Sequence, residues 1–223
     1  KIVYFESKKY FIGDESSSST LIEPGVYCYN FNHDLMPSIP ESFSGIFGKV
    51  SYEITAVQDI PWHTNEKYSV PFVVVRHNNL PKTRHPYVVE KVIKFACLTE
   101  ICKFIVTLAN GIEYAAGEVI PIKIEYENLG NDIIEQTKIN FKRQIVYTSF
   151  GDDNYFEQDT ILTKQEDGNQ SLICTSLHLP LTLVKSNERY CKVVTVEYYI
   201  NVVSVICGCH QNAKMKIPIT IGD

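Results

Sequence analysis

The sequence predicts an all-β protein made of two β-sandwich units in tandem, and three observations support this fold class. Apolar and polar residues alternate repeatedly, as they do in strands that bury one face. The 11 Gly and 10 Pro residues are spread along the chain between these runs as turn signals. No segment of helical length places apolar residues at positions i, i+3, i+4 and i+7 between capping residues.

The alternation is clearest in the run from Val119 to Asn128, where Ile120, Ile122 and Ile124 share one face. Side chains on a strand point alternately to its two faces, so this run predicts a strand with one buried side. The same pattern predicts three further strands, at Lys49–Val57, Thr137–Tyr147 and Lys214–Ile221. Weaker candidates are Tyr4–Ile12, Gly25–Asn32, Ser69–Arg76, Cys102–Ala109, Asp159–Gln165, Gln170–Leu179 and Lys192–Val205.

A polar segment divides the chain into two parts of unequal length. Residues 77–86 contain Pro81 and Pro86 and lack any alternation, so we expect them to form an interdomain linker. Residues 87–223 are long enough for a complete sandwich, whereas residues 1–76 are short for an equal partner.

Composition and motifs exclude several classes of function. The net charge is −5 with no basic block, which argues against a nucleic-acid partner. The longest apolar runs, such as Tyr198–Cys207, are too short to span a bilayer as a helix. The sequence has no G-x-S-x-G elbow, no glycine-rich phosphate loop and no H-E-x-x-H motif. We therefore expect a protein that binds other proteins, with no catalytic residues and no cofactor.

Seven cysteines, an odd number, cannot all pair within the chain, and several lie in apolar strand-like runs. These features favour reduced thiols in a reducing compartment. A zinc site is the strongest chemical alternative, and an extracellular sandwich with disulfides is another. The candidate metal ligands are Cys97, Cys102, Cys207, Cys209 and His210. Their spacing differs from the usual C-x-x-C pairs, so buried or loop thiols are the favoured interpretation.

Arg143 and a basic group in the predicted linker are candidates for a binding role. Arg143 interrupts the apolar face of its strand, which is compatible with a domain contact, a buried ion pair or a side chain that reaches solvent. Lys82, Arg84 and His85 lie in the predicted linker and are compatible with an acidic partner segment or with a solvated linker.

The first part of the chain carries a more specific set of motifs. Gly25–Phe31 reads Gly-Val-Tyr-Cys-Tyr-Asn-Phe, Pro37–Tyr52 contains Pro-Glu-Ser-Phe-Ser-Gly-Ile-Phe-Gly, and Asp59–Trp62 reads Asp-Ile-Pro-Trp. In this order they resemble the α-arrestins, or arrestin domain-containing proteins, and their insect members in particular. In the second part, Gly117–Ile122, Glu127-Asn128, Val196–Tyr198 and Pro218–Gly222 are similar to the second arrestin domain of the same family.

The resemblance implies two arrestin-like, immunoglobulin-like sandwiches, of which the first is incomplete because Lys1 falls inside it. It also implies a non-enzymatic adaptor that binds membrane receptors or transporters as cargo and links them to endocytic sorting or ubiquitination. Such a protein would be cytoplasmic and peripherally associated with the plasma membrane or endosomes. Exposed strand edges and loops would accept an extended peptide of the partner.

The family usually recruits ubiquitin ligases through Pro-Pro-x-Tyr motifs in a tail, and this sequence contains no such motif. A ligase partner is therefore expected only through a tail that this sequence lacks. The alternative function is that of the arrestin-fold subunit of the retromer coat, which acts in endosomal cargo sorting.

Overall fold

The computed structural model describes residues 2–16, 19–77, 79–81, 83–94, 101–127, 134–149, 154–168, 170–187, 191–208 and 211–223. The chain divides into two compact units, Lys1–Arg76 and His77–Asp223. All regular secondary structure in the described ranges is β-strand, which confirms the predicted all-β class.

The first unit contains four strands: β1 (Phe43–Ser44), β2 (Lys49–Val50), β3 (Tyr52–Gln58) and β4 (Glu66–Phe72). The second unit contains nine: β5 (Tyr87–Lys94), β6 (Ile101–Leu108), β7 (Glu113–Ala115), β8 (Val119–Glu127), β9 (Ile134–Thr148), β10 (Asn154–Asp167), β11 (Leu172–His178), β12 (Val194–Ile206) and β13 (Ala213–Gly222).

The first unit is organised around two antiparallel hairpins, β1–β2 and β3–β4. The Gly45 amide donates to the Gly48 carbonyl over 2.9 Å and closes the first hairpin. The buried Tyr52 then anchors the second hairpin, because its hydroxyl donates to the Pro40 carbonyl over 2.6 Å. Its ring stacks on Phe5 with centroids 6.0 Å apart.

Two predicted strands of this unit are wrong, because Tyr4–Ile12 and Gly25–Asn32 form no strand in the structure. Their alternating aromatic residues stack on each other instead, as Phe11 does on Tyr29 with centroids 5.1 Å apart. The burial predicted for one face of β3 is also wrong beyond Tyr52, since Ile54 is 45% exposed. Alternation alone therefore predicted pairing and burial that these segments do not have.

The second unit is a sandwich of two sheets. One sheet has five strands in the order β10-β9-β12-β13-β7, and the other has four in the order β11-β8-β6-β5. All neighbours are antiparallel except β13 and β7, which pair in parallel over three residues. Strands distant in sequence thus become neighbours, as in other sandwiches.

The core of the second unit follows the predicted alternation. Along β8, Ile120, Ile122, Ile124 and Tyr126 are all buried, while the residues between them face outward. Tyr126 stacks on Phe104 with centroids 5.2 Å apart. These side chains fill the space between the sheets, and their burial is the main source of the unit's stability.

A network of hydroxyl groups lies inside this apolar core. The Tyr126 hydroxyl is 2.8 Å from Thr137 Oγ1 and 2.7 Å from Ser204 Oγ, and all three residues are buried. Tyr126 belongs to the four-stranded sheet, whereas Thr137 and Ser204 lie on β9 and β12 of the five-stranded sheet. The network therefore joins the two sheets, and it satisfies polar groups that would otherwise be costly to bury.

Most strands of the second unit match the sequence prediction, although β5 and β7 were not predicted. The predicted Asn110-Gly111 turn is present: Gly111 adopts a φ of +78° and donates its amide to the Leu108 carbonyl over 3.3 Å. Strand β7 was not predicted because its three residues are too few to show a period of two.

Candidate functional site

The cysteines proposed as metal ligands are separated by burial and position. Cys102 is fully buried in β6, and burial raises the pKa of its thiol. Cys207 follows β12 and is partly exposed. Cys97, Cys209 and His210 lie outside the described residues. Within the described part of the chain, no group of three His, Cys, Asp or Glu side chains is placed to hold a metal ion.

Arg143 forms an ion pair in the middle of β9. Its Nη2 atom lies 2.5 Å from Asp159 Oδ2 on the neighbouring β10, and 28% of the Arg143 side chain is exposed. Partial burial lowers the pKa of Arg143, but the hydrogen bond to Asp159 outweighs this and raises it. Of the interpretations left open by the sequence, the structure thus selects a partly buried ion pair within the second unit.

The segment 77–86, predicted to be a linker, makes several contacts with strands of the second unit. The Leu80 amide donates to the Asp223 carbonyl over 3.3 Å, and His77 Nδ1 lies 3.3 Å from Asp223 Oδ2. The Arg84 guanidinium donates two hydrogen bonds to Glu118, of 2.9 and 3.1 Å. These contacts hold the described part of the segment against the ends of β13 and β8.

Glu118 also completes a turn at the start of β8. Its Oε2 accepts the Ala115 amide over 2.9 Å, and its own amide donates to the Ala115 carbonyl. Gly117 occupies the third position of this turn with a φ of +84°, which residues with a side chain rarely adopt. Partial burial raises the pKa of Glu118, but the bonds from Arg84 and Ala115 outweigh it and hold this pKa below its ordinary value.

The edges of the two sheets are candidate places for a partner strand, because an edge presents backbone groups that no neighbouring strand pairs. At one side of the sandwich, these groups are obstructed. Lys91 on β5 reaches across to donate its Nζ to the Lys214 carbonyl of β13 over 3.0 Å. The terminal strand β7 has three residues and pairs with β13 from Thr220 to Gly222. On the rest of β13, Pro218 has no amide hydrogen to offer, so a short edge strand and a proline both discourage an added strand.

At the other side of the sandwich, β10 and β11 are the edge strands. A register shift between Thr160 and Leu162 interrupts β10. The strand also carries charged residues along its length, at Glu157, Asp159, Lys164, Glu166 and Asp167. Bulges and charges both oppose edge-to-edge pairing, so β10 is protected as well.

Strand β11 differs from these edges in its composition. Its sequence, Leu-Ile-Cys-Thr-Ser-Leu-His, contains no carboxylate, lysine, arginine or proline. It pairs with β8 from Leu172 to His178 without a register shift. Among the described strands, β8 is its hydrogen-bonded neighbour, and its other side is an edge.

A shallow groove of about 400 Å³ adjoins β11 on the outer surface of its sheet. Thr107, Pro121, Lys123 and Cys174 contribute to its walls, together with Ser176. Lys123 Nζ is paired with Glu125 Oε1 at 2.8 Å, so its charge is balanced within the sheet. The groove therefore presents small and apolar groups next to the uncharged edge.

No sequence pattern indicated this edge, because an edge is defined by strand order. The absence of charge in Leu172–His178 was visible in the sequence, but it equally fits a central strand. Strand pairing across 45 or more residues, such as β8 with β11, could not be read from alternation.

No helix in the described ranges has the length and apolar character needed to cross a membrane.

Comparison with known proteins agrees with this two-unit arrangement of strands. The family model described as "Arrestin (or S-antigen), N-terminal domain" matches residues 1–81, and "Arrestin (or S-antigen), C-terminal domain" matches residues 109–223. The chain is also similar to arrestin domain-containing protein 17 of Caenorhabditis elegans, with 24% identity over 231 residues. That alignment covers 95% of this chain and 51% of the relative, so the chain spans about half the length of the curated relative it matches. Since the C-terminal model alone matches more than half of the residues, the chain belongs to the arrestin family.

Proposed function

We propose that this chain is the arrestin-fold part of a non-enzymatic adaptor of the α-arrestin type. The observation that carries the proposal is the ordered match of both arrestin domains, at residues 1–81 and 109–223. In this proposal, residues 1–76 belong to the first arrestin domain, residues 77–86 connect the domains, and residues 87–223 form the second. The similarity to an arrestin domain-containing protein supports the choice of subfamily.

The adaptor binds cytoplasmic segments of membrane receptors or transporters and links them to endocytic sorting or ubiquitination. Its chemistry is recognition of extended peptides by strand edges and loops, which requires neither metal nor cofactor. Ligase recruitment belongs to a tail with Pro-Pro-x-Tyr motifs, which this sequence does not contain. The protein acts in the cytoplasm, peripherally at the plasma membrane or at endosomes.

Cross-linking in cells tests this function. The full-length protein that contains this chain is expressed with a panel of transporters, and each transporter's abundance at the cell surface is measured. We expect specific cross-links to the cytoplasmic segments of some transporters, and a loss of those transporters from the surface. An absence of cross-links to every panel member would count against the proposal, and stable co-purification with a large helical-solenoid subunit would favour a retromer role.

A further inference from the structure

We propose that the outer edge of β11 takes an uncharged, extended segment of a partner protein as an added strand. This inference rests on the adaptor function proposed above and assigns it a surface. The edge comprises the backbone of Leu172, Cys174, Ser176 and His178. The groove that includes Cys174 and Ser176 lies beside this edge, over the outer face of β11, β8 and β6.

The direction of the backbone groups follows from the hydrogen bonds at the two ends of β11. The Tyr126 amide donates to the Ser171 carbonyl over 2.9 Å, and the Leu179 amide donates to the Glu118 carbonyl over 2.9 Å. In an antiparallel pair, every second residue bonds the neighbour and the residues between face away. Residues 171, 173, 175, 177 and 179 therefore bond β8, so Leu172, Cys174, Ser176 and His178 direct their backbone groups outward.

This arrangement fits an extended peptide. Outward groups recur at every second residue, about 6.8 Å apart, which is the spacing of matching groups on another strand. One of them, the Ser176 carbonyl, has Lys164 Nζ at 3.5 Å, the long limit of a hydrogen bond. Lys164 also lies 3.5 Å from Glu166 Oε1 and keeps that partner if the peptide amide replaces it at Ser176.

The contrast with the other edges argues that β11 is the one suited to a partner. Lys91 and Pro218 obstruct the β5 and β13 side, and charges with a register shift protect β10. Proteins usually protect long edges in such ways, because unprotected edges pair with other chains. Strand β11 has no charged residue, proline or register shift of its own, and the lysine contact at its Ser176 carbonyl is longer, at 3.5 Å, than the 3.0 Å contact of Lys91 with Lys214. Its seven residues match the length of a short linear segment.

The chemistry of the surroundings defines the partner segment. Leu172 is 48% exposed and Cys174 is exposed, so the side of the peptide next to them meets small and apolar groups. Lys123 and Lys164 are each within 3.5 Å of a carboxylate, which leaves no net charge to attract an acidic or basic segment. We therefore expect uncharged peptides with apolar residues at alternate positions.

A random library of twelve-residue peptides displayed on phage tests the proposal, with the 223-residue protein as target. Selected peptides are synthesised, and amide hydrogen exchange and the dissociation constant are measured. We expect uncharged peptides that slow exchange at Leu172, Cys174, Ser176 and His178. Cys174→Pro removes an outward amide and spares the bonds to β8, so it should weaken binding at least tenfold, whereas Cys174→Ser should bind like the wild type.

A second variant guards against misfolding of the first. Leu172→Lys keeps every backbone group and adds a charge to the edge, so it should also weaken binding at least tenfold. The inference is overturned if no selected peptide protects these amides, or if Cys174→Pro and Leu172→Lys both bind like the wild type. Protection without peptide that depends on protein concentration would also overturn it, because the occupant would then be a second copy.

The same variants separate this inference from the proposed function. If wild-type protein cross-links to transporters and Cys174→Pro and Leu172→Lys do so equally well, the adaptor function stands and the β11 edge is not its cargo site. If the wild type cross-links to no transporter while selected peptides still protect the edge, the adaptor function fails and the peptide-binding edge remains.

Discussion

Arg84 and Glu118, which are 34 residues apart in sequence, meet through two hydrogen bonds of 2.9 and 3.1 Å. Arg84 lies in the segment that leads into β5, and Glu118 lies directly before β8. Two parallel hydrogen bonds orient an arginine and a carboxylate relative to each other, and they bind the pair more strongly than a single contact does. The pair therefore fixes the segment 83–86 on the second unit at the turn formed by Ala115–Glu118.

Replacing Glu118 with Gln should destabilise the second unit in a pH-dependent way. The pKa of Glu118 is below its ordinary value of 4.5, so the carboxylate stabilises the folded state above that pH and loses its effect as pH falls through the lowered pKa. Because 36% of its side chain is exposed, screening keeps the loss to about 1 kcal/mol. Urea unfolding at pH 7 and at pH 3 should show a difference from wild type that shrinks in acid.

Glu125→Gln is the matched control, because Glu125 pairs with Lys123 at 2.8 Å on the outer surface of the same sheet. Exposed pairs contribute about 0.2–1 kcal/mol, so this variant should lose less stability than Glu118→Gln at pH 7. Equal losses in the two variants would mean that the double hydrogen bond from Arg84 adds nothing to Glu118.

Asp159→Asn should cost more stability than Arg143→Met. The first change leaves the charge of Arg143 partly buried, with 28% of its side chain exposed, whereas the second leaves Asp159 at 47% exposure and able to meet water. Removing the partner of a buried charge is the more costly change, here about 1–2 kcal/mol. Unfolding free energies of both variants and of the double variant measure this, and a greater loss in Arg143→Met would contradict it.

The sequence predicted what depends on local pattern. The alternation of Ile120, Ile122 and Ile124 depends on one strand and one buried face, and the structure confirms it. The same pattern failed at Gly25–Asn32, since pairing needs a neighbouring backbone that the pattern does not reveal. Alternation is thus necessary for a half-buried strand, but it does not supply the strand's partner.

The contacts of the candidate site and the β11 edge depend on strand pairing and chain path, which no local sequence pattern contains. Arg143 was recognised as unusual, but its partner Asp159 is defined by the register of β9 with β10. Glu118 was noticed within Gly117–Ile122 as part of a family motif, whereas its bond to Arg84 follows from the path of the preceding segment. The β11 edge likewise required the strand order of the whole sheet.

Tyr126→Phe should destabilise the second unit by about 1–2 kcal/mol. The Tyr126 hydroxyl joins Thr137 and Ser204 at 2.8 and 2.7 Å, and its loss leaves two buried hydroxyls without this partner. Replacing those groups as well, in Tyr126→Phe/Thr137→Val/Ser204→Ala, should recover part of the loss, because no unpaired hydroxyl then remains from the network. Thermal and urea unfolding compare the variants, and a triple variant that is less stable than the single one would contradict this account.

Gly168→Ala should be among the most damaging single-methyl changes in the protein. A Cβ atom at Gly168 would lie 1.9 Å from the Ile134 carbonyl oxygen and 2.4 Å from the Glu135 carbonyl carbon. Both are backbone atoms of β9, so relief requires a shift of the strand that pairs with β10 and β12, at a cost of at least about 2 kcal/mol.

Gly25→Ala provides the control for this substitution, since the nearest atoms to its added Cβ are in the Tyr27 ring at 3.6 Å, an ordinary contact. It should change the unfolding free energy by less than about 0.5 kcal/mol. Urea unfolding followed by circular dichroism measures both variants. A Gly168→Ala protein as stable as Gly25→Ala would mean that β9 shifts easily to make room for the added methyl group. The hydrogen bond of 3.1 Å from the Gly168 amide to the Glu135 carbonyl would then contribute little to the end of β10.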